Sequence, residues 1–215
     1  MQADAREQMI EHQVRAWDVL DDRVLTTLRK VPREPFVPPQ CRFLAHADME
    51  VPLSGGQHML RPSVVGRLLQ ALELTGTERV FEVGAGTGFV TACLRTMSSA
   101  VQSIEILPEL ADAARRNLAT LGQRDIEIIT GDAMRYEPRP PFEAIAITAS
   151  LPRYDKRFQN LLAVGGRLFV VVGTAPVMEA QRVRRISEDA WTIESLFETV
   201  IDPLTDVKCP VEFVF

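Results

Sequence analysis

From residue 63 onward, two hydrophobic periods alternate along the chain. Short, nearly continuous apolar runs predict buried strands at 79–84, 101–106, 126–130, 142–148 and 167–172. Spaced apolar positions predict helices over 63–72 (Val64, Val65, Leu68, Leu69, Leu72), 88–97, 108–121 and 155–163. Apolar strands separated by amphipathic helices need cover on both faces, which is the pattern of a parallel sheet. The fold expected is therefore α/β, a Rossmann-like doubly wound and mostly parallel sheet. In the tail, 173–215, strand-like runs at Arg182–Ile186, Trp191–Phe197 and Val211–Phe215 predict antiparallel strands that close the sheet, with no further path specified.

The first sixty residues follow another rhythm. Met9, Ile10, Gln13, Val14 and Trp17 fall at helical spacing, and Val24, Leu25, Leu28 and Val31 do so again, giving two helices within 4–30. Asp21 or Asp22 caps the second helix. Pro32, Pro35, Pro38 and Pro39 then end helical structure and predict an extended connector. A loop from Asp48 to Pro62, with Gly55-Gly56 inside it, is expected to lie over the ligand site. The organisation expected is an N-terminal helical lid and loop over 1–62 and an α/β core over 63–215, forming one compact unit.

Composition narrows the classes. With 46% hydrophobic and 25% charged residues, the 215-residue chain is ordinary for a globular protein. A net charge of -5 without a Lys/Arg stripe argues against nucleic acid as the main partner. The longest apolar run, Leu168–Val172, is far too short to span a bilayer, so no membrane partner is expected. Cys41, Cys93 and Cys209 have no metal-ligand spacing; no metal is expected, and a reducing cytoplasm suits them. The polar start, Met1–Arg15, has no apolar signal core.

The chemistry concentrates in Arg79-Val-Phe-Glu-Val-Gly-Ala-Gly-Thr-Gly-Phe89 and Val101-Gln-Ser-Ile-Glu105. Gly84, Gly86 and Gly88 let a backbone turn lie against a ligand, and the amides opening the next helix face it. Glu105 follows Gly88 by 17 residues, the separation of a carboxylate that grips a ribose diol. The spacing is G-x-G-x-G, not the G-x-G-x-x-G of dinucleotide sites, and Glu82 precedes it. That form resembles motif I of class I S-adenosylmethionine-dependent methyltransferases. A dehydrogenase turn, or a strand-to-helix turn with no ligand, remains as an alternative reading. Ligands of such sheets sit at the carboxyl ends of the strands. Glu82 is expected to bond the turn or the methionine ammonium, Glu105 both ribose hydroxyls, and Asp132 the adenine amino group. Ala85 lies within the turn, Ala133 offers an amide, and Phe89, Ile106 and Leu107 flank the adenine.

A wider resemblance follows. His12-Gln-Val-Arg-Ala16, Asp22-Arg-Val-Leu25, Val31-Pro-Arg33 and Phe36-Val-Pro38 resemble the N-terminal module of protein-L-isoaspartate O-methyltransferases. Residues 45–62 resemble that family's substrate loop, and Phe142–Ala149 and Leu161–Leu168 its later strands; the likeness spans roughly 7–172. It implies S-adenosylmethionine as cofactor and an isoaspartyl carboxylate, in a protein or peptide, as acceptor. In the family the loop's Gly-Gln is followed by Thr-Ile-Ser, and the serine hydroxyl stands at the catalytic centre. Here Gly56-Gln57 is followed by His58-Met59-Leu60-Arg61-Pro62, so Leu60 occupies the serine position.

Several side chains near the loop are candidates to compensate. Arg61 can clamp a substrate carboxylate or simply open the next helix. His58 can serve as a general base or be a solvated loop residue. Thr148 or Ser150 can supply a hydroxyl, and His12 and His46 are assigned structural roles. Two competing functions stay open: methylation of an unknown, less polar small acceptor, and cofactor binding without turnover.

Overall fold

The structure is a computed structural model that describes residues 2–205. Cys209 and the strand expected at Val211–Phe215 lie outside the described residues. Helix α1 (Gln2–Met9) continues through a π turn and a 3-10 turn to Trp17. Helix α2 (Asp22–Lys30) starts where Asp21 accepts a hydrogen bond from the Arg23 amide, the cap its sequence offers.

The proline-rich stretch is not simply extended. It forms 3-10 turns at Glu34–Phe36 and Pro39–Leu44, because proline is tolerated in the first turn of a helix, where no N–H is needed. Next comes a short hairpin, β1 (Val51–Pro52) and β2 (His58–Met59), and then helix α3 (Pro62–Ala71).

The core is a seven-stranded sheet. Its strands are β3 (Arg79–Val83), β4 (Ala100–Glu105), β5 (Glu127–Thr130), β6 (Phe142–Leu151), β7 (Leu162–Thr174), β8 (Val177–Arg185) and β9 (Trp191–Glu198). The order is β5-β4-β3-β6-β7-β8-β9; the first five run parallel, and β8 and β9 add on antiparallel. The order therefore reverses between β4 and β6 around β3, the switch point where ligands bind in such sheets. Helices α4 (Phe89–Met97), α5 (Pro108–Thr120) and α6 (Lys156–Asn160) connect the strands. The helix expected over 155–163 stops at Asn160, because Leu162 already pairs with Phe142 and joins β7.

The central strands β3, β6 and β7 bury residues on both faces, whereas the edge strand β9 is largely exposed. One apolar cluster joins Met9, Leu28, Phe36 and Leu68 of the N-terminal helices and α3 to Val80, Ala144 and Phe169 of the sheet. The opposite face packs Phe81, Phe142, Ile145 and Leu168 against Phe158 of α6. Arg67 ties the N-terminal segment to the far edge of the sheet. Its guanidinium donates to the carbonyls of Trp17 and Leu196 and lies 4.8 Å from the centre of the Phe197 ring.

The start of α4 shows why one glycine is required. Gly88 has φ +93°, and a Cβ there would stand 3.2 Å from the Ala114 backbone of α5. A side chain would strain the turn and separate two helices.

Phe81 is 1% exposed and stacks on Phe142 at 5.2 Å. Phe81→Ala is expected to cost about 3–5 kcal/mol, read as a lower urea midpoint with an unchanged slope.

Candidate functional site

The strand ends β3, β4 and β6 meet in one construction. The Gly84 amide donates to the Ile104 carbonyl at 2.8 Å, which carries the β3–β4 pairing into the turn. Gly84 has φ +93°, and a Cβ would lie 2.4 Å from Thr148 Oγ1. That hydroxyl occupies the space and donates toward the carbonyls of Val83 (3.0 Å) and Gly84 (2.6 Å). Glu105 closes β4 with one oxygen accepting from the Gly86 amide at 2.8 Å and the other from Leu107 at 3.0 Å. Burial pushes its carboxyl up, and the two amide bonds counteract that. Each carboxylate oxygen keeps further lone pairs for a ligand.

A cavity opens here, lined by the ends of β3, β4 and β6 and by the loop before α3. Gly84, Ala85, Gly86, Phe89, Glu105 and Ile106 line one part of it. Asp132 and Ala133 line it beyond β5; Asp132 accepts from the Met134 amide at 2.8 Å and faces Arg135 at 3.3 Å.

The 48–62 loop lies over this floor. Asp48 Oδ1 accepts from the Ser63 amide at 2.9 Å, closing the loop at its stem, while β1 and β2 pair within it. Leu53 comes within 3.8 Å of the space a Gly86 side chain would occupy. His58, Met59 and Leu60 line the cavity together with Glu50, whose carboxyl is pushed up by burial. His58 Nδ1 is 2.9 Å from Asp202 Oδ2.

Arg33 is the unexpected member. It is 2% exposed, lines the cavity, donates to the Leu60 carbonyl at 2.8 Å and lies 4.8 Å from the Phe89 ring centre. Its Nε and Nη1 have no hydrogen-bond partner among the described residues. Desolvation pulls its pKa down to about 10. A buried guanidinium with two unpartnered nitrogens is costly, and an anionic ligand would offset that cost.

Other expectations are corrected. Glu82 is fully buried beneath the turn, off the cavity, and accepts from the hydroxyls of Thr91 (2.6 Å) and Ser103 (2.7 Å). Arg61 points away from the cavity, toward Thr199 Oγ1 at 3.3 Å and the Trp17 ring at 5.5 Å. Gly88 and Leu107 do not line the cavity; Leu107 packs under Gly55. Ser150 is buried, donating from Oγ to the Ile201 carbonyl at 3.3 Å. Of the residues that sequence reasoning missed, Arg33 had a signal in the Val31-Pro-Arg33 match and Glu50 in the match of residues 45–62, whereas Asp202 had none.

Solved structures of similar shape define the class. A Plasmodium falciparum protein-L-isoaspartate O-methyltransferase, solved with S-adenosyl-L-homocysteine, superposes with a TM-score of 0.81 at 19% identity, covering 93% of this chain and 98% of that one. Another protein-L-isoaspartate O-methyltransferase gives 0.78 at 21% identity, covering 92% and 65%. The fold is that of the class I methyltransferases. The chain belongs to the protein-L-isoaspartate(D-aspartate) O-methyltransferase family, whose model matches residues 4–208. Protein-L-isoaspartate O-methyltransferase 2 of Pelobacter propionicus is 38% identical over 205 residues, 94% of this chain and 91% of that one. A relative from Methanoculleus marisnigri is 40% identical over 169 residues, 78% and 77% of the two chains.

Burial raises the Glu82 carboxyl to about 7. A folded-state value above the unfolded one means stability is full at low pH and is lost as pH rises toward 7. Glu82→Gln is expected to remove that part of the decline, seen in urea unfolding at pH 5 and pH 8. An unchanged pH dependence would contradict the assignment.

Proposed function

We propose that this chain binds S-adenosylmethionine and transfers its methyl group to the free carboxylate of an isoaspartyl residue in a protein or peptide. The observation that supports this reading is one cavity lined both by Glu105, a carboxylate at the end of β4, and by Arg33, a buried cation whose Nε and Nη1 have no hydrogen-bond partner among the described residues. Bound there, the cofactor supplies a methyl group already activated by a sulfonium sulfur.

The protein's own residues hold and orient. Glu105 accepts from the ribose hydroxyls, and Asp132 with the Ala133 amide serves the adenine. Thr148 keeps the turn closed against the strands. The loop from Glu50 to Leu60 covers the cavity, excluding water from the transfer. A carboxylate acceptor is ionised at neutral pH and needs no base, so orientation is the main requirement. Arg33 supplies positive charge for an acceptor carboxylate.

Leu60 stands where the family has its serine, and Met59 makes the same wall apolar. That pair favours a second reading, methyl transfer to a less polar acceptor.

Two measurements test the proposal. Glu105→Ala is expected to weaken S-adenosylmethionine binding about 10-fold or more in calorimetry, from loss of a charged bidentate contact. Labelled methyl from S-adenosylmethionine is expected to reach an isoaspartyl peptide and not its aspartyl twin. Cofactor binding with no labelling moves the assignment to another acceptor or to no turnover.

A further inference from the structure

Position 60 offers no hydroxyl, yet the cavity rim is not without a polar group. His58 lines the cavity, and its side chain is 38% exposed, so a ligand entering the cavity can reach it. Its Nδ1 stands 2.9 Å from Asp202 Oδ2. An ionised carboxylate only accepts, so Nδ1 carries the hydrogen and Nε2 is the nitrogen left for a ligand.

Asp202 is itself held firmly. The Ser150 amide donates to the Asp202 carbonyl at 2.8 Å, and the Leu204 amide donates to the Ser150 carbonyl at 2.9 Å. Pro203 forms a β-bridge with Ser150. The end of β6 thus fixes the segment that aims the imidazole, as a second residue orients the working one in many catalytic pairs.

The charges around the ring come from three segments. Asp202 is in contact with the ring, and Glu50, just before β1, interacts electrostatically with His58, with Asp202 and with Arg61, just before α3. Two carboxylates at a rim repel an acceptor carboxylate, whereas an imidazole beside them, when protonated, offsets that charge and can donate from Nε2.

We propose that His58, oriented by Asp202, contacts the acceptor carboxylate through Nε2 and takes over the orienting role of the hydroxyl missing at position 60. This rests on the isoaspartyl reading above. His58 is then specificity-determining, and Asp202 is a positioning residue.

The test is kcat and KM for an isoaspartyl peptide at saturating S-adenosylmethionine, from pH 6 to pH 8, with cofactor affinity measured alongside. With Nδ1–H committed to Asp202, only a protonated ring can donate from Nε2, so donation to a carboxylate predicts a higher kcat/KM toward the acid end of this range. His58→Ala should lower kcat/KM about 10- to 100-fold, chiefly through KM, and flatten the profile, while cofactor affinity stays unchanged. Asp202→Asn should give a smaller loss and weaken the pH dependence. Adding Leu60→Ser to His58→Ala should restore activity without restoring the pH dependence.

A His58→Ala enzyme with wild-type KM and profile overturns the proposal alone. A His58-dependent rise toward pH 8 also overturns it, since the imidazole would then act as a base on a protic acceptor. A wild-type enzyme that binds cofactor and labels the isoaspartyl peptide at no pH overturns the isoaspartyl reading, and this proposal with it.

Discussion

One carboxylate ties together the parts on which the site depends. Glu105 bonds the Gly86 amide with one oxygen and the Leu107 amide with the other. It therefore joins the turn after β3 to the start of α5, two segments that meet only because β3 and β4 run side by side with Val83 opposite Ile104. A slip of one residue in that register would move every side chain of β4 to the wrong face. It would also leave both amides without their acceptor. The geometry of the floor and the pairing of the sheet are thus a single constraint.

Beneath this floor the protein keeps polar groups in an apolar interior. Glu82 is fully buried with two hydroxyl donors, and Cys93 lies in the same region, its thiol pushed up by desolvation. The Arg33 guanidinium interacts electrostatically with Cys93. A fold selected for stability alone would fill these positions with hydrocarbon; functional sites commonly retain such costs.

How much of this could be read from the sequence depends on the range of the interactions. The strands β3, β4 and β6 and helices α3, α4 and α5 announce themselves through periodicity, because burial of each element is decided by its own side chains. The glycine turn and Glu105 were equally legible, since local backbone geometry demands those residues. The β1–β2 hairpin was not, being two residues per strand and stabilised by what surrounds it. Glu82 was assigned to the ligand because alternation gives a side chain's face but not what waits there; Thr91 and Ser103 meet it instead. Asp202 could not be found at all. It reaches His58 from 144 residues away, through a tail segment placed by Ser150.

The closure of the 48–62 loop at its stem has a consequence for how such a site changes over generations. Asp48 holds the Ser63 amide, and the Leu60 carbonyl is held by Arg33, so the backbone is fastened independently of the side chains at positions 58 to 60. These two side-chain-to-backbone bonds help order the loop. The exposed His58 side chain can then be exchanged with little effect on folding, as surface loops on rigid scaffolds generally allow, whereas Met59 and Leu60 are buried in the core. The latch lets the side chain that meets the cavity at position 58 drift while the backbone beneath it stays put.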